Sequence, residues 1–146
     1  MRKILLLSLI TLFFLTGCTN NQNIKKQDNS INKDMTEIKV IIDEKEYNLS
    51  LEENETTKEF VKMLPQEFKM KELNGNEKYI YLDKSLPTDS YNPDQINKGD
   101  VMLFGDNCLV VFYKSFNTNY SYTKIGHIES LPDLDSSSII ARFIRG

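Results

Sequence analysis

Residues 99–116, reading GDVMLFGDNCLVVFYKSF, constrain the fold of this chain more than any other stretch. They contain two apolar runs, at 101–104 and 108–113, on either side of a Gly-Asp-Asn turn. Glycine and asparagine readily adopt the positive φ angles that tight turns require, so the stretch predicts a β-hairpin. Both faces of the second run are apolar, which indicates a strand that is covered on both sides. Such a strand is typical of the centre of a sandwich or a barrel.

The first 17 residues have the composition of a secretory signal. Arg2 and Lys3 precede an apolar run at 4–15, which is too short for a bilayer-spanning helix of about 20 residues. The sequence Leu-Thr-Gly-Cys at 15–18 resembles the lipobox of bacterial lipoproteins. This resemblance implies that Cys18 becomes the first mature residue and carries the lipid. An ordinary secretory signal and an uncleaved anchor are the alternatives.

An acylated Cys18 predicts a protein that is held at the extracytoplasmic face of the cell membrane. Two or more acyl chains give stable attachment to a lipid bilayer, whereas one chain binds only marginally. Residues 19–34 are rich in Asn, Gln, Lys and Asp, and only two of them are isoleucines, so they cannot bury a core. We therefore expect residues 18–35 to form a disordered tether with a reach of about 20 to 25 Å. Residues 36–146 then form one folded domain.

The composition argues against two functional classes. The formal net charge is −3, and removal of the two basic residues of the signal segment makes the mature chain more acidic. Nucleic-acid binding requires a basic face, so we expect no nucleic-acid partner. Two cysteines and one histidine are too few for a protein-only zinc site, and no metal or other cofactor is predicted. Lipidation of Cys18 would leave Cys108 without a disulfide partner. Cys108 is then either a small core residue or a redox-active thiol.

Alternating apolar residues predict further strands through the domain. Asn74, Gly75 and Asn76 predict a turn in the first half. A glycine within the penultimate strand, Gly126, predicts a bulge or a close backbone approach. The additional predicted strands cover residues 38–42, 47–51, 67–73, 78–82, 122–128 and 139–144.

One helix is predicted between the second and third strands. Thr56 and Glu59 have the spacing of a capping box, and Pro65 marks the end. Phe60 and Val61 begin an apolar stripe on one face, so the helix packs against the sheet. About eight strands and one helix, joined mostly by short turns, favour a closed antiparallel barrel or a sandwich.

Several segments of the domain resemble the small stand-alone bacterial cyclophilin-like domains. They are Gly99-Asp100, the run LVVFYK at 109–114, and the sequence Thr-Lys-Ile-Gly-x-Ile at 123–128. The resemblance extends from residue 37 to about residue 143. It implies a mainly β fold, a closed eight-stranded antiparallel barrel with one main capping helix, and it implies no established activity.

True cyclophilins are peptidyl-prolyl isomerases, and their active face uses an arginine that polarises the proline amide. The mature part of this chain has only Arg142 and Arg145, both close to the C-terminus. The chain therefore departs from the isomerase pattern at the catalytic position. The resemblance leaves a divergent prolyl isomerase as the alternative function, and we predict no catalytic residue.

Aromatic residues concentrate around the central hairpin and the loop that follows it. We predict that Phe104, Tyr113, Phe116 and Tyr122 form a groove on the barrel for a peptide or a small molecule. His127, the sole histidine, is either a ligand-contacting residue or general base of this site, or an ordinary outward-facing strand residue. The leading interpretation is a membrane-anchored, non-catalytic binding module. A purely structural envelope component is a third possibility.

Overall fold

The computed structural model describes residues 37–146, and the predicted signal segment, Cys18 and the tether lie outside the described residues. The described part contains ten strands and one helix. In chain order they are β1 (Ile38–Ile42), β2 (Lys45–Leu51), α1 (Glu55–Lys62), β3 (Gln66–Leu73), β4 (Glu77–Tyr81), β5 (Gln95–Ile96), β6 (Asp100–Phe104), β7 (Cys108–Phe112), β8 (Phe116–Asn117), β9 (Thr123–Ile128) and β10 (Ser138–Arg145).

Eight of the strands close into an antiparallel barrel in the order β1-β10-β3-β4-β7-β6-β9-β2. The barrel closes through the pairing of β2 with β1, in which Ile38 lies opposite Leu49. The predicted closed eight-stranded barrel is thus confirmed. The remaining strands, β5 and β8, form a short ribbon that the sequence did not predict.

The central hairpin is formed by β6 and β7, with Phe104 opposite Cys108. Gly105 has a φ of +61° in the three-residue turn, as tight hairpin connections require. The two faces of β7 enter different apolar clusters, as the sequence predicted. Leu109 and Val111 join the barrel interior, whereas Val110 and other outward residues form a second layer outside the barrel.

Helix α1 is capped by Asn54, so the prediction of a Thr56 capping box is wrong. Asn54 Oδ1 accepts a hydrogen bond from the Thr57 amide at 2.8 Å, and Asn54 Nδ2 donates to the Lys124 carbonyl at 2.7 Å. The Thr56 hydroxyl instead donates to the Pro87 carbonyl. The capping residue therefore lies two positions earlier than predicted, where one side chain both caps the helix and ties it to β9.

The barrel has two closed ends. At one end, Phe60 of α1 packs edge-on against Phe143 of β10, with ring centroids 5.5 Å apart. At the other end, Leu131 and Leu134 of the loop 129–137 join the core beside Tyr113. Within the described residues, no helix has the length and apolar character needed to span a membrane.

Gly126 lies where the backbones of β9 and β2 approach each other closely. A Cβ atom at this position would lie 2.3 Å from the Ser50 carbonyl oxygen. The pairing of β6 with β9 also shifts register here, since Val101 pairs with Gly126 and Met102 with Lys124. The predicted bulge and close approach at Gly126 are both present, and Ile125 is the extra residue.

A candidate ligand cavity on the outer face of the barrel

The outer face of β4, β7 and β6 is partly covered by the segments around β5 and β8. These segments are fixed by paired backbone hydrogen bonds between Tyr91 and Tyr122, of 3.0 and 2.9 Å. Phe112 on the barrel wall packs against Phe116 and Tyr122 of the cover, with centroids 5.6 and 5.5 Å apart. Ile96 of β5 is fully buried in the same layer. The cover is thus an ordered apolar layer.

Between the barrel wall and this cover lies a cavity of about 430 Å³, here called the outer cavity. Its walls are mainly aromatic and apolar, and its polar groups lie mostly on the β3–β4 turn and the first residue of β4. The lining residues are Leu73, Asn74, Asn76, Glu77, Tyr79, Tyr81, Phe104, Cys108, Val110, Phe116, Tyr120 and Tyr122.

Two sets of aromatic contacts shape the walls of the outer cavity. On β4, the rings of Tyr79 and Tyr81 meet edge-on with centroids 5.9 Å apart. On the opposite side, Phe104 contacts Tyr120 and Tyr122 at 6.0 and 5.6 Å. Such edge-on and tilted contacts stabilise ring pairs beyond the burial of area. The walls are therefore held in place without a ligand.

Glu77 is the only acidic side chain that lines the outer cavity. Its residue surface is only 8% exposed, and no hydrogen bond or ion pair with a described residue satisfies its carboxyl group. Burial, reinforced by the negative charge of Glu72, raises the pKa of Glu77 to about 7. Carboxyl groups that lie in clefts and have a shifted pKa are typical of functional sites.

Asn76 contributes a second unsatisfied acceptor next to Glu77. Its Oδ1 atom is buried and has no hydrogen-bond partner among the described residues. Its backbone is fully engaged, since the amide donates to Leu73 and the carbonyl accepts from Tyr113 at 3.0 Å. Buried polar atoms are nearly always hydrogen-bonded, so this oxygen is an exception. It has almost no accessible surface and therefore lies behind the wall of the cavity.

Cys108 also lines the outer cavity, at the start of β7. It is a free, buried cysteine. Burial and the nearby Glu77 carboxyl both raise the pKa of the Cys108 thiol. A thiol in such surroundings stays protonated near neutral pH and is a poor nucleophile.

The structure brings together three of the five predicted groove residues. Phe104, Phe116 and Tyr122 line the outer cavity, whereas Tyr113 and His127 do not. Tyr113 lies in the barrel core, where its hydroxyl donates to the Glu72 carboxylate at 2.9 Å. His127 lies on β9, with Nδ1 3.0 Å from the buried Asp100 carboxylate.

Two polar groups of the site, Glu77 and Asn76, were not predicted from the sequence. A signal for Glu77 is present in the sequence EKYIY, where Glu77 alternates with Tyr79 and Tyr81 and so shares their face. Asn76 belongs to a turn sequence, and its type is fully explained by turn chemistry. Only the three-dimensional structure shows that its side chain lies at the cavity wall.

Among residues 37–146, no basic side chain lines the outer cavity. Of the described arginines, Arg145 donates to the Val61 carbonyl at 2.9 Å, and Arg142 lies on β10 among Ile41 and Glu67. No described group of three or more His, Cys, Asp or Glu side chains could hold a metal ion. The polar groups of the cavity are therefore suited to accept hydrogen bonds and to face positive charge.

The architecture defines the class of this protein, a small closed antiparallel barrel with one capping helix in its described part. A family model, described as the cyclophilin-like family, matches residues 40–143, from β1 to β10. The chain therefore belongs to the cyclophilin-like family. Neither the curated proteins nor the solved structures give a significant match to it.

Proposed function

We propose that this protein is a membrane-anchored extracytoplasmic binding module whose outer cavity takes a small ligand or a peptide segment. The observation that carries this proposal is a preformed aromatic cavity with an unpaired buried carboxyl group. Ligand sites are mostly apolar concavities of about 300–1,000 Å³ with a few well-placed polar groups. The outer cavity, at about 430 Å³, has this size and composition.

The exposure of the cavity rim supports the same function. Tyr81 and Tyr120 are 63% and 66% exposed, and Phe104 is 44% exposed, although all three are large apolar side chains. They lie together around one opening and are not scattered over the surface. Contiguous exposed apolar surface around a concavity is characteristic of an interaction site, because a ligand removes this surface from water.

Binding without catalysis is favoured by the chemistry of the lining residues. No guanidinium group lines the cavity, so no side chain there resembles the arginine with which prolyl isomerases polarise the substrate amide. The raised pKa of Cys108 also disfavours a thiolate nucleophile. A divergent prolyl isomerase is the alternative. An isomerisation assay with a proline-containing peptide separates the two, and we expect no acceleration over the uncatalysed rate.

Ligand binding at the outer cavity is tested with a neutral aromatic probe, benzyl alcohol, titrated into the full-length protein and followed by amide chemical shifts. We expect the shifts to cluster on β4, β7 and residues 116–122. Phe116→Ala removes one wall of the cavity and should weaken probe binding several-fold. Tyr113→Phe is the matched control, because Tyr113 lies inside the barrel and should leave binding unchanged. Shifts elsewhere, or equal binding by Phe116→Ala, would place the site outside this cavity.

Membrane anchoring rests on the lipobox-like sequence that ends at Cys18. An acylated Cys18 should place the protein in the membrane fraction and incorporate labelled fatty acid. Cys18→Ser removes the acceptor thiol, so label and membrane association should both be lost. Cys108→Ser is the control that keeps both. Retention of the Cys18→Ser protein in the membrane without label would instead indicate an uncleaved apolar anchor.

A further inference from the structure

We propose that the outer cavity selects a small organic amine in its protonated form, with the Glu77 carboxylate receiving the ammonium group and tyrosine and phenylalanine rings enclosing its apolar body. This inference rests on the proposed function and specifies the chemistry of its ligand. It follows from the charge, the two different ends and the wall composition of the cavity.

The charge of the cavity is unbalanced. Glu77 lies among aromatic and aliphatic residues, and no lysine, arginine or histidine lines the same space. Its sequence neighbour, Lys78, points to the other side of β4 and pairs with Glu72 inside the barrel. No hydrogen bond or ion pair with a described residue neutralises the Glu77 carboxylate, so a cationic ligand would balance its charge when it is ionised.

The two ends of the cavity also differ in chemistry. Its carboxyl group, that of Glu77, lies at the end of β4 that follows the β3–β4 turn. Tyr81 and Phe104 lie near the other end, since both of them pair with Cys108. Four residues separate Glu77 from Tyr81, which corresponds to roughly 13 Å along an extended strand. A ligand with a charged head and an apolar body would lie along this axis.

The walls suit the body and the head of such a ligand. Tyr79 is two residues from Glu77 on the same face of β4, and its ring contacts that of Tyr81. Aromatic faces attract ammonium groups through their quadrupoles, and sets of such faces recognise organic cations. A bare carboxylate would likewise attract a metal cation, but the mainly aromatic lining favours an organic one.

The ionisation of Glu77 provides an independent signature of this ligand. With a pKa of about 7, Glu77 is protonated in acid and must lose its proton to face a cation. The other titratable groups near it are Glu72, Cys108 and Tyr122; the pKa of Glu72 is lowered, whereas those of the thiol and the phenol are raised. These three groups therefore keep one charge state between about pH 5.5 and pH 8. Over this range, the affinity for an amine should fall with decreasing pH because of Glu77 alone.

The test compares benzylamine with benzyl alcohol, which have the same aromatic body but differ in charge. Both are titrated into the full-length protein in a non-ionic detergent, and amide shifts give the dissociation constants. At about pH 8 we expect benzylamine to bind about tenfold more tightly, and this preference should shrink severalfold at about pH 5.5. Glu77→Gln should abolish the preference while benzyl alcohol still binds. Glu129→Gln, an exposed acid elsewhere, is the matched control.

The outcomes separate this inference from the proposed function. Equal affinity for the two probes at about pH 8, or an amine preference that survives Glu77→Gln, would overturn the ammonium proposal and leave a binding cavity of different selectivity. Absence of binding by both probes would overturn the proposed site together with this inference.

Discussion

Glu77 and Lys78 are neighbours in sequence, but the alternation of a β-strand places them in opposite environments. Glu77 faces outward into the cavity, where no described side chain neutralises it. Lys78 faces inward and is fully buried, where its ammonium group binds Glu72 and the Ser136 carbonyl and lies 4.9 Å from the centre of the Tyr113 ring. One charge is thus satisfied within the fold, whereas the other has no partner among the described residues.

The free energy of unfolding should depend on pH through Glu77. Between its ordinary pKa near 4.5 and its folded value of about 7, the folded state binds more protons than the unfolded chain. The contribution of Glu77 to the free energy of unfolding is therefore fully present in acid. It decreases by up to about 3 kcal/mol as the pH rises through this window. In Glu77→Gln this decrease should disappear. Urea unfolding of both proteins at about pH 5 and pH 8 checks it, and equal slopes with pH would contradict the assigned environment.

Removal of the inward charge should destabilise the barrel. Lys78→Met deletes the cation and leaves the Glu72 carboxylate with two neutral donors, the Tyr113 hydroxyl and the Gly75 backbone amide. We expect the free energy of unfolding to fall by about 2 to 3 kcal/mol. This decrease is at the low end for a buried ion pair, because about a quarter of the Glu72 side chain is exposed. The double variant Lys78→Met/Glu72→Gln should recover part of this loss in urea unfolding. No recovery would mean that packing of the Lys78 stem, not its charge, stabilises this end.

At the scale of elements, α1 depends on Asn54 for its position on the barrel. Asn54→Ala removes the cap and the bond to the Lys124 carbonyl, and we expect a loss of about 1 to 2 kcal/mol of stability. Asn54→Asp keeps a capping oxygen but loses the donor to the Lys124 carbonyl, so it should lower the stability less than Asn54→Ala does. Thermal unfolding of the three proteins measures the order. Equal stability of Asn54→Ala and the parent would show that another group begins the helix.

The contact between β9 and β2 requires a glycine for space. Gly126→Ala would place a methyl group 2.3 Å from the Ser50 carbonyl oxygen, so we expect a loss of about 3 kcal/mol or more. Gly75→Ala is the matched control, because that turn glycine has a φ of +70° but no atom within 4 Å of an added Cβ. It should cost only about 1 kcal/mol. Equal losses in urea unfolding would contradict the close approach of the two strands.

The elements differ in how far the sequence predicts them. The β6–β7 hairpin is predictable because its turn residues and its two apolar faces agree. The capping residue of α1 is not predictable, since Asn54 and Thr56 are both good capping residues. The hydrogen bond from Asn54 to the Lys124 carbonyl, which favours Asn54, forms only in the folded chain. The β5–β8 ribbon has two residues per strand, and its pairing depends on tertiary contacts that no local pattern reveals.

At the scale of the whole molecule, the fold is more predictable than the site. Alternation along β7 and the residue after it already places Tyr113 on the inward face with Leu109 and Val111. The prediction that Tyr113 lines the groove rested instead on its nearness in sequence to the other aromatic residues. The cover over β4 and β7 is formed by residues 91–96 and 116–122, which meet only when the chain is folded. The outer cavity is a product of that long-range contact, and so sequence alone predicts its aromatic content but not its acceptors.

A crystallographic soak of the full-length protein with neutral, cationic and anionic aromatic fragments tests the binding site directly. We expect bound fragments to concentrate in the outer cavity, with rings against Tyr79, Phe104 or Phe116, and we expect amines among them to approach Glu77. Fragments found mainly elsewhere on the barrel, with the outer cavity left empty, would contradict the claim that this cavity is the binding site.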